Sequence, residues 1–202
     1  MAAVGPAVTA DWALQRLKQG NARFVQGKSR FPTVRKEILA ELAKGQRPYA
    51  TIIGCSDSRV PPEMVFDAGF GALFIVRVAG NVISPEVMGT LQYAVLHLRT
   101  PLFVVLGHEG CGAIQAALDR KDRADPDRGI ELLMKRISPA LAGLPAGLKG
   151  NARAMAAVEA NVRWSIQQLR DTPEGQARMK EGIFRLVGAV YELKTGRVRF
   201  LS

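Results

Sequence analysis

Three apolar segments set the limits on this chain: "YATIIGC", which passes through Gly54, "ALFIVRVAG", which reaches Gly80, and "PLFVVLG", which reaches Gly107. Each is short and β-branched and finishes in a glycine-bearing polar loop, so each reads as a strand. Between the second and third, Pro85 to Leu98 carries Val87, Leu91, Ala94, Val95 and Leu98 at helical spacing. That segment reads as the crossover helix that joins parallel neighbours. The expected fold class is therefore α/β: a mostly parallel sheet of about four strands plus a C-terminal antiparallel hairpin strand, flanked by helices.

The other elements are read from the same two periodicities. Thr9 to Phe24 reads as a helix with Thr9 as its cap and Leu14, Leu17 and Phe24 on one stripe, ending or bending at "GNARF". A second helix follows Thr33, carries Ile38 and Leu42, and stops near Gly45 before Pro48. "GAIQAALDR" and "IELLMKRI" read as helices separated by the exposed loop "DRKDRADPDRG", and "SPALAGLPAGLKGN" is the linker candidate. Ala154 to Leu169 reads as a longer helix, "IFRLVGAVY" as a strand, "KTG" as a turn and "RVRFL" as the hairpin return. One domain over residues 1–202 is expected, with an N-terminal helical arm (1–45) available to a partner subunit and an α/β core (46–202).

Composition narrows the function. With 202 residues, 48% hydrophobic and 23% charged, the chain is long and apolar enough for one sizeable core. No apolar run approaches the roughly 18 residues of a membrane span, and the N-terminus lacks a basic start followed by an apolar stretch. A soluble, cytoplasmic protein is expected, or a periplasmic one whose export signal has been removed. The net charge is +10, but the basic residues are spread along the chain without an aromatic and basic stripe. Neither nucleic acid nor a membrane is expected as a partner.

Only two cysteines and two histidines are present, and three of these four residues fall at strand ends. Loops leaving the C-terminal ends of an open parallel sheet converge on one crevice. Cys55 leaves the first strand, and His108 and Cys111 leave the third. Two thiolates and one imidazole make a three-ligand zinc site with a fourth position open; His97, one helix away, is the competing ligand. Taken singly, each residue reads as a buried thiol or a hydrogen-bonded loop histidine, and the coincidence of all three favours the metal.

In "GCSDSRVPPE", Asp57 and Arg59 lie two apart, on one side of an extended loop, where they can pair bidentately. Beside a zinc-bound hydroxide, Arg59 would hold Asp57 ionised and Asp57 would accept the hydroxide's hydrogen. Pro61 and Pro62 read as a rigid loop exit and helix start. Two other readings of these residues stay open: a nucleophilic cysteine activated by Arg59, and an anion loop at "GHEGCGA", which lacks dinucleotide and Walker spacing.

With these residues in place, the sequence resembles the β-class carbonic anhydrases. "CSDSRVPPE", "VRVAGN" and "GHEGCGA" stand in that family's order and separation, and the likeness runs from "LQRLKQGNARFV" to "VGAVYELKTGRV". The resemblance implies Zn2+ on Cys55, His108 and Cys111, an Asp57 and Arg59 catalytic dyad, and reversible hydration of carbon dioxide to bicarbonate and a proton. It implies that Gln46 hydrogen-bonds the substrate or bicarbonate, commonly across a dimer interface. Phe74, Ala79 and Tyr93 would line the carbon dioxide pocket, with Ala79 where the plant-like branch often has Val. A homodimer or homotetramer is implied as the active assembly. Another branch carries Trp three residues before the first cysteine and binds a regulatory bicarbonate; Ile52 stands there in this chain and argues against that site. Water or hydroxide is then the fourth zinc ligand, with Asp57 its alternative at low pH. Rivals are a carbon disulfide or carbonyl sulfide hydrolase on the same fold and a non-catalytic zinc-binding scaffold.

Two thiolates offset the charge of the zinc, so its water should be less acidic than on three neutral imidazoles. Stopped-flow hydration rates should therefore rise between about pH 6 and about pH 9; a flat profile would contradict the ligand set.

Overall fold

Every residue of β3 (Leu102–His108) is buried, which makes it the centre of the sheet. It pairs in parallel with β1 (Ala50–Gly54), also buried throughout, and with β4 (Arg185–Tyr191). β2 (Leu73–Arg77) adds in parallel outside β1, and β5 (Val198–Phe200) antiparallel outside β4. The order is β2-β1-β3-β4-β5, four parallel strands and one antiparallel edge, as the sequence pattern predicts. The computed structural model describes residues 8–30, 36–119, 128–182 and 184–201. Thr33, after which the second helix was expected, and most of the loop "DRKDRADPDRG" lie outside them.

Both faces of the sheet are covered. Ile52, Leu102, Val104 and Leu106 share one cluster with Ala13, Leu14, Leu17, Val60, Val65 and Phe66. Ile53, Phe103 and Val105 share the other with Val87, Leu91, Ile114, Ile137, Val158 and Val162. Alternate residues of a strand point to opposite faces, so a strand covered on both reads as a continuous apolar run. That is why these segments stand out in the sequence.

On the first face lie α1 (Ala10–Val25) and the short α3 (Pro62–Val65). The Thr9 hydroxyl caps α1 by accepting the Trp12 N–H at 3.2 Å. The helix does not end at "GNARF", because that segment is its seat. At Gly20, a Cβ would stand 1.8 Å from the Phe66 carbonyl oxygen. Asn21 is buried beside it, donating to Val65 O at 3.1 Å and Gly196 O at 2.8 Å and accepting from the Val198 N–H at 2.8 Å. α1 is thus bound to its own chain, whereas α2 (Lys36–Leu42) buries no residue.

The second face carries α4 (Pro85–Tyr93), α5 (Gly112–Asp119), α6 (Arg128–Leu141) and α7 (Gly150–Arg170). The expected crossover helix is α4 continued by a wider π turn, Ala94–Leu98, and closed by Arg99 at φ 53°. The linker candidate is half helix: α6 runs on through Ser138 and Pro139 to Leu141, anchored by buried Met134 and Ile137. Pro139 has no N–H to give the carbonyl four residues back, so this turn lacks one intrahelical bond and the helix stops two residues later. α7 starts before the expected Ala154, and α8 (Pro173–Lys180) was not foreseen; it has no buried residue and so no apolar stripe to read. No helix among the described residues is long and apolar enough to cross a membrane.

Glycine to alanine inside a helix normally gains about 1 kcal/mol. Gly20→Ala should instead destabilise by roughly 1–3 kcal/mol through overpacking against Phe66, measured by urea unfolding. A gain in stability would mean that α1 is not seated on α3.

Candidate active site

The site begins with strand register. Gly54, the last residue of β1, lies opposite Leu106 of β3 and Arg77 of β2. Cys55 therefore leaves β1 at the level where β3 ends in His108, and Cys111 follows on the short loop into α5. The cysteine sulfurs are 3.9 Å apart, and both lie within 4.8 Å of a His108 ring nitrogen. All three side chains are buried, at 5%, 0% and 4% exposure for Cys55, His108 and Cys111. The sulfurs are too far apart for a disulfide of about 2.05 Å; both are free thiols.

The histidine is prepared as a ligand. Its Nδ1 lies 2.8 Å from the Glu109 carbonyl, an acceptor, so Nδ1 carries the proton and Nε2 a lone pair. Nε2 is buried without a hydrogen-bond partner among the described residues. An orphaned buried acceptor is costly unless something else engages it. Glu109 is itself held, its carboxylate accepting the Leu193 N–H at 3.1 Å.

The thiols are in conflict in a way a cation resolves. A hydrogen bond from the Cys111 thiol pulls the Cys55 thiol down from its ordinary range, with His108 acting the same way against the effect of burial. The same bond pushes Cys111 up. Ionisation of one sulfur thus opposes ionisation of the other, and a dication bound between them would let both ionise. Soft thiolates and imidazole in a group of three suit zinc with one position left open. The donor set, the orphaned lone pair and the close pair of sulfurs all fit that ion.

Asp57 and Arg59 form the pair expected of them. Arg59 Nε donates to Oδ1 at 2.9 Å and Nη2 to Oδ2 at 2.7 Å, and the Arg59 backbone N–H adds a third bond to Oδ1 at 3.0 Å. These bonds hold the Asp57 carboxyl well below the usual carboxylate range. A depressed carboxylate contributes its pairing above the ordinary range and loses it as pH falls through the lowered value, so the pair survives into strong acid. Asp57 Oδ2 stands 3.8 Å from His108 Nε2. Arg59 also donates to Gly110 O at 3.2 Å, tying the β1 loop to the β3 loop. Its guanidinium is committed to a carboxylate rather than to Cys55, which removes the activation that the cysteine-nucleophile reading needs.

The remaining expected residues are placed less closely. Phe74 is half-buried and Tyr93 exposed, with ring centroids 6.1 Å apart. Ala79 is exposed at the start of the turn Ala79–Asn81. Gln46 is exposed, and no hydrogen bond links it to the cluster among the described residues. His97 is not in the cluster; its ring lies against Tyr93 at 5.0 Å. Ile52 is fully buried within β1. Two contributors were missed. Arg77 donates to Cys55 O at 3.0 Å and Asp57 O at 2.6 Å, and the Gly80 N–H donates to Cys55 Sγ at 3.4 Å. The signal for Arg77 was a charged residue inside an apolar strand; the N–H of Gly80 has none.

The comparisons with known proteins agree with this geometry. Residues 50–198 match the family model described as carbonic anhydrase. A carbonic anhydrase of Mycolicibacterium smegmatis is 41% identical over 192 residues, covering 94% of this chain and 92% of the relative. The structure of a Coccomyxa β-carbonic anhydrase in complex with acetazolamide superimposes with a TM-score of 0.73 at 30% identity, covering 80% of this chain and 75% of that one. One of two tetrameric β-carbonic anhydrases from Sordaria macrospora gives a TM-score of 0.75 at 25% identity, covering 82% and 86%. A mostly parallel sheet with two cysteines and a histidine at its strand ends could hold a metal ion, and the chain belongs to the β-class carbonic anhydrases.

Cys55→Ser and His108→Ala should each reduce bound zinc from about one ion per chain to a trace, read by metal analysis after dialysis. Full zinc occupancy in either variant would contradict the ligand set.

Proposed function

We propose that the chain hydrates carbon dioxide reversibly to bicarbonate and a proton, with Cys55, His108 and Cys111 holding zinc and Asp57 with Arg59 directing the reacting water. The observation that carries the reading is the buried His108 Nε2, without a hydrogen-bond partner among the described residues, beside two thiols and with the Asp57 carboxylate 3.8 Å away. When bound, zinc supplies the Lewis acidity that makes water a nucleophile near neutral pH. An ionised carboxylate can only accept hydrogen bonds. Asp57, kept ionised by Arg59, therefore accepts a hydrogen bond from the reacting water and leaves an oxygen lone pair facing the substrate. Arg77 ties the carbonyls of Cys55 and Asp57 together, so ligand and dyad hold one spacing.

Gln46 is assigned to the substrate from a partner subunit, and Phe74, Ala79 and Tyr93 to the wall of the carbon dioxide pocket. What supports a dimer is the exposure of Gln46, the absence of any buried residue in α2, and exposed Leu39, Met64 and Phe70 on neighbouring segments. The tetrameric Sordaria macrospora enzymes support a homotetramer as a further step of assembly.

Asp57→Ala should keep its zinc and lose about a hundredfold or more in kcat/KM, the scale of removing one oriented polar group from a reacting centre. Stopped-flow hydration at the wild-type rate would contradict the dyad. His97→Ala should cost far less than the roughly hundredfold loss of a general acid or base, because His97 is exposed and outside the cluster. A selective collapse of turnover rescued by imidazole would overturn that expectation. Turnover on carbon disulfide and carbonyl sulfide should fall below that on carbon dioxide; the reverse would favour the hydrolase reading.

A further inference from the structure

Two polar side chains are buried in the otherwise apolar inner face of α7. Asn161 and Ser165, one turn apart, are each 1% exposed among Ala157, Val158, Val162 and Leu169. Burying an amide and a hydroxyl is unfavourable unless each finds a bond. Both find it in the same three-residue turn, Ala79–Asn81. Asn161 Nδ2 donates to Gly80 O at 2.8 Å, and Ser165 Oγ donates to Asn81 O at 3.2 Å. The Asn161 Oδ1 is left without a partner among the described residues, so it is the donor that accounts for an amide here.

The turn needs such support. Gly80 has φ 64° and Asn81 φ 44°, two successive left-handed residues of which the second is not glycine. Glycine is required at the first for space as well, since a Cβ there would stand 3.0 Å from Ile137 Cδ1 and 3.3 Å from Ala113 Cβ. On its other side the turn presents the Gly80 N–H to Cys55 Sγ at 3.4 Å. The N–H belongs to the peptide before the Gly80 Cα and the carbonyl to the peptide after it. Only φ and ψ of Gly80 lie between them, so pinning the carbonyl in a turn already confined by Ile137 and Ala113 restricts where the N–H points. The helix that does the pinning is firmly seated: a Cβ on Gly107, beside His108, would stand 2.7 Å from Val162 Cγ2.

We infer that Asn161, assisted by Ser165, is a positioning residue for the metal-binding thiolate, holding the Gly80 turn in the left-handed form that aims its N–H at Cys55 Sγ. The inference rests on Cys55 being a zinc ligand. An N–H bond to a thiolate draws electron density from the sulfur, moderates its donation to the metal and fixes its orientation, as outer partners of metal ligands do. Without the Asn161 bond the turn relaxes toward right-handed forms and the N–H swings away from the sulfur.

The test uses the full chain loaded with cobalt(II), whose thiolate-to-metal charge-transfer band reports the donor strength of the sulfurs. Asn161→Leu removes the donor with the same number and branching of side-chain heavy atoms, Ser165→Ala removes the second bond, and Leu169→Ala opens a cavity one turn beyond Ser165 as a packing control. Asn161→Leu should bind cobalt about 10- to 100-fold more weakly in chelator competition, with its charge-transfer band moved to lower energy. Ser165→Ala should move it less in the same direction. Leu169→Ala should lower the melting temperature and leave the band in place. A wild-type band position in Asn161→Leu, or an equal shift in Leu169→Ala, overturns the inference. Should Asn161→Leu fail to fold, the comparison of Ser165→Ala with Leu169→Ala decides by the same criterion. Wild-type protein that binds cobalt with no thiolate band would instead defeat the assignment of Cys55 and Cys111 as ligands.

Discussion

The parallel register between β1 and β3 is the constraint on which everything else at the site depends. With Gly54 opposite Leu106, the two central strands end at one level, and Cys55 meets His108 and Cys111 there. A slip of one residue would send each side chain to the other face of the sheet. That slip is resisted by packing on both faces at once, because Ile52 and Ile53 belong to different buried clusters and each would be driven into space shaped for another side chain. A buried hydroxyl pair, Thr51 with Thr100 at 2.7 Å, adds a polar match near the other end of the strands. β2 takes its register from β1, which sets Arg77 opposite Gly54 and within reach of the Cys55 and Asp57 carbonyls. The register that pairs the strands therefore also sets the spacing of the site residues.

Chemical conflict, rather than added affinity, explains how the site is poised. Ionisation of one thiol opposes that of the other, a buried imidazole nitrogen has no partner among the described residues, and a carboxylate stands near that nitrogen. Each group gains from a bound dication. Arg59 decides which of them is free to take it, because the guanidinium claims both Asp57 oxygens and leaves the sulfurs and the imidazole as the donor set. In the proposed mechanism this division gives zinc three protein ligands and reserves the carboxylate for orienting the reacting water. The bond from Arg59 to Gly110 makes the same side chain the fastener between the two loops that carry the ligands.

How much of this could be read from the residues depended on whether burial or geometry produced the signal. Strands covered on both faces leave unbroken apolar runs, and the three metal-binding side chains are rare residue types at the ends of those runs; both were visible. α8 was not, because an exposed helix has no stripe, and the last turn of α6 was hidden behind Pro139. "GNARF" looked like a break, since glycine and asparagine lower helix propensity, but Gly20 and Asn21 are there for a close approach and a buried bond network. Asn161 and Ser165 lie in the same category. A polar residue in a helix reads as solvent-facing, and only the packing of α7 against the Ala79–Asn81 turn shows where these two point.

Zinc content and carbon dioxide hydration, followed together by metal analysis and stopped-flow through chelation and readdition of zinc, test the central claim most directly. The account predicts that hydration falls in proportion to zinc removed and returns with it. A chain stripped of metal that still hydrates carbon dioxide at the original rate would contradict it.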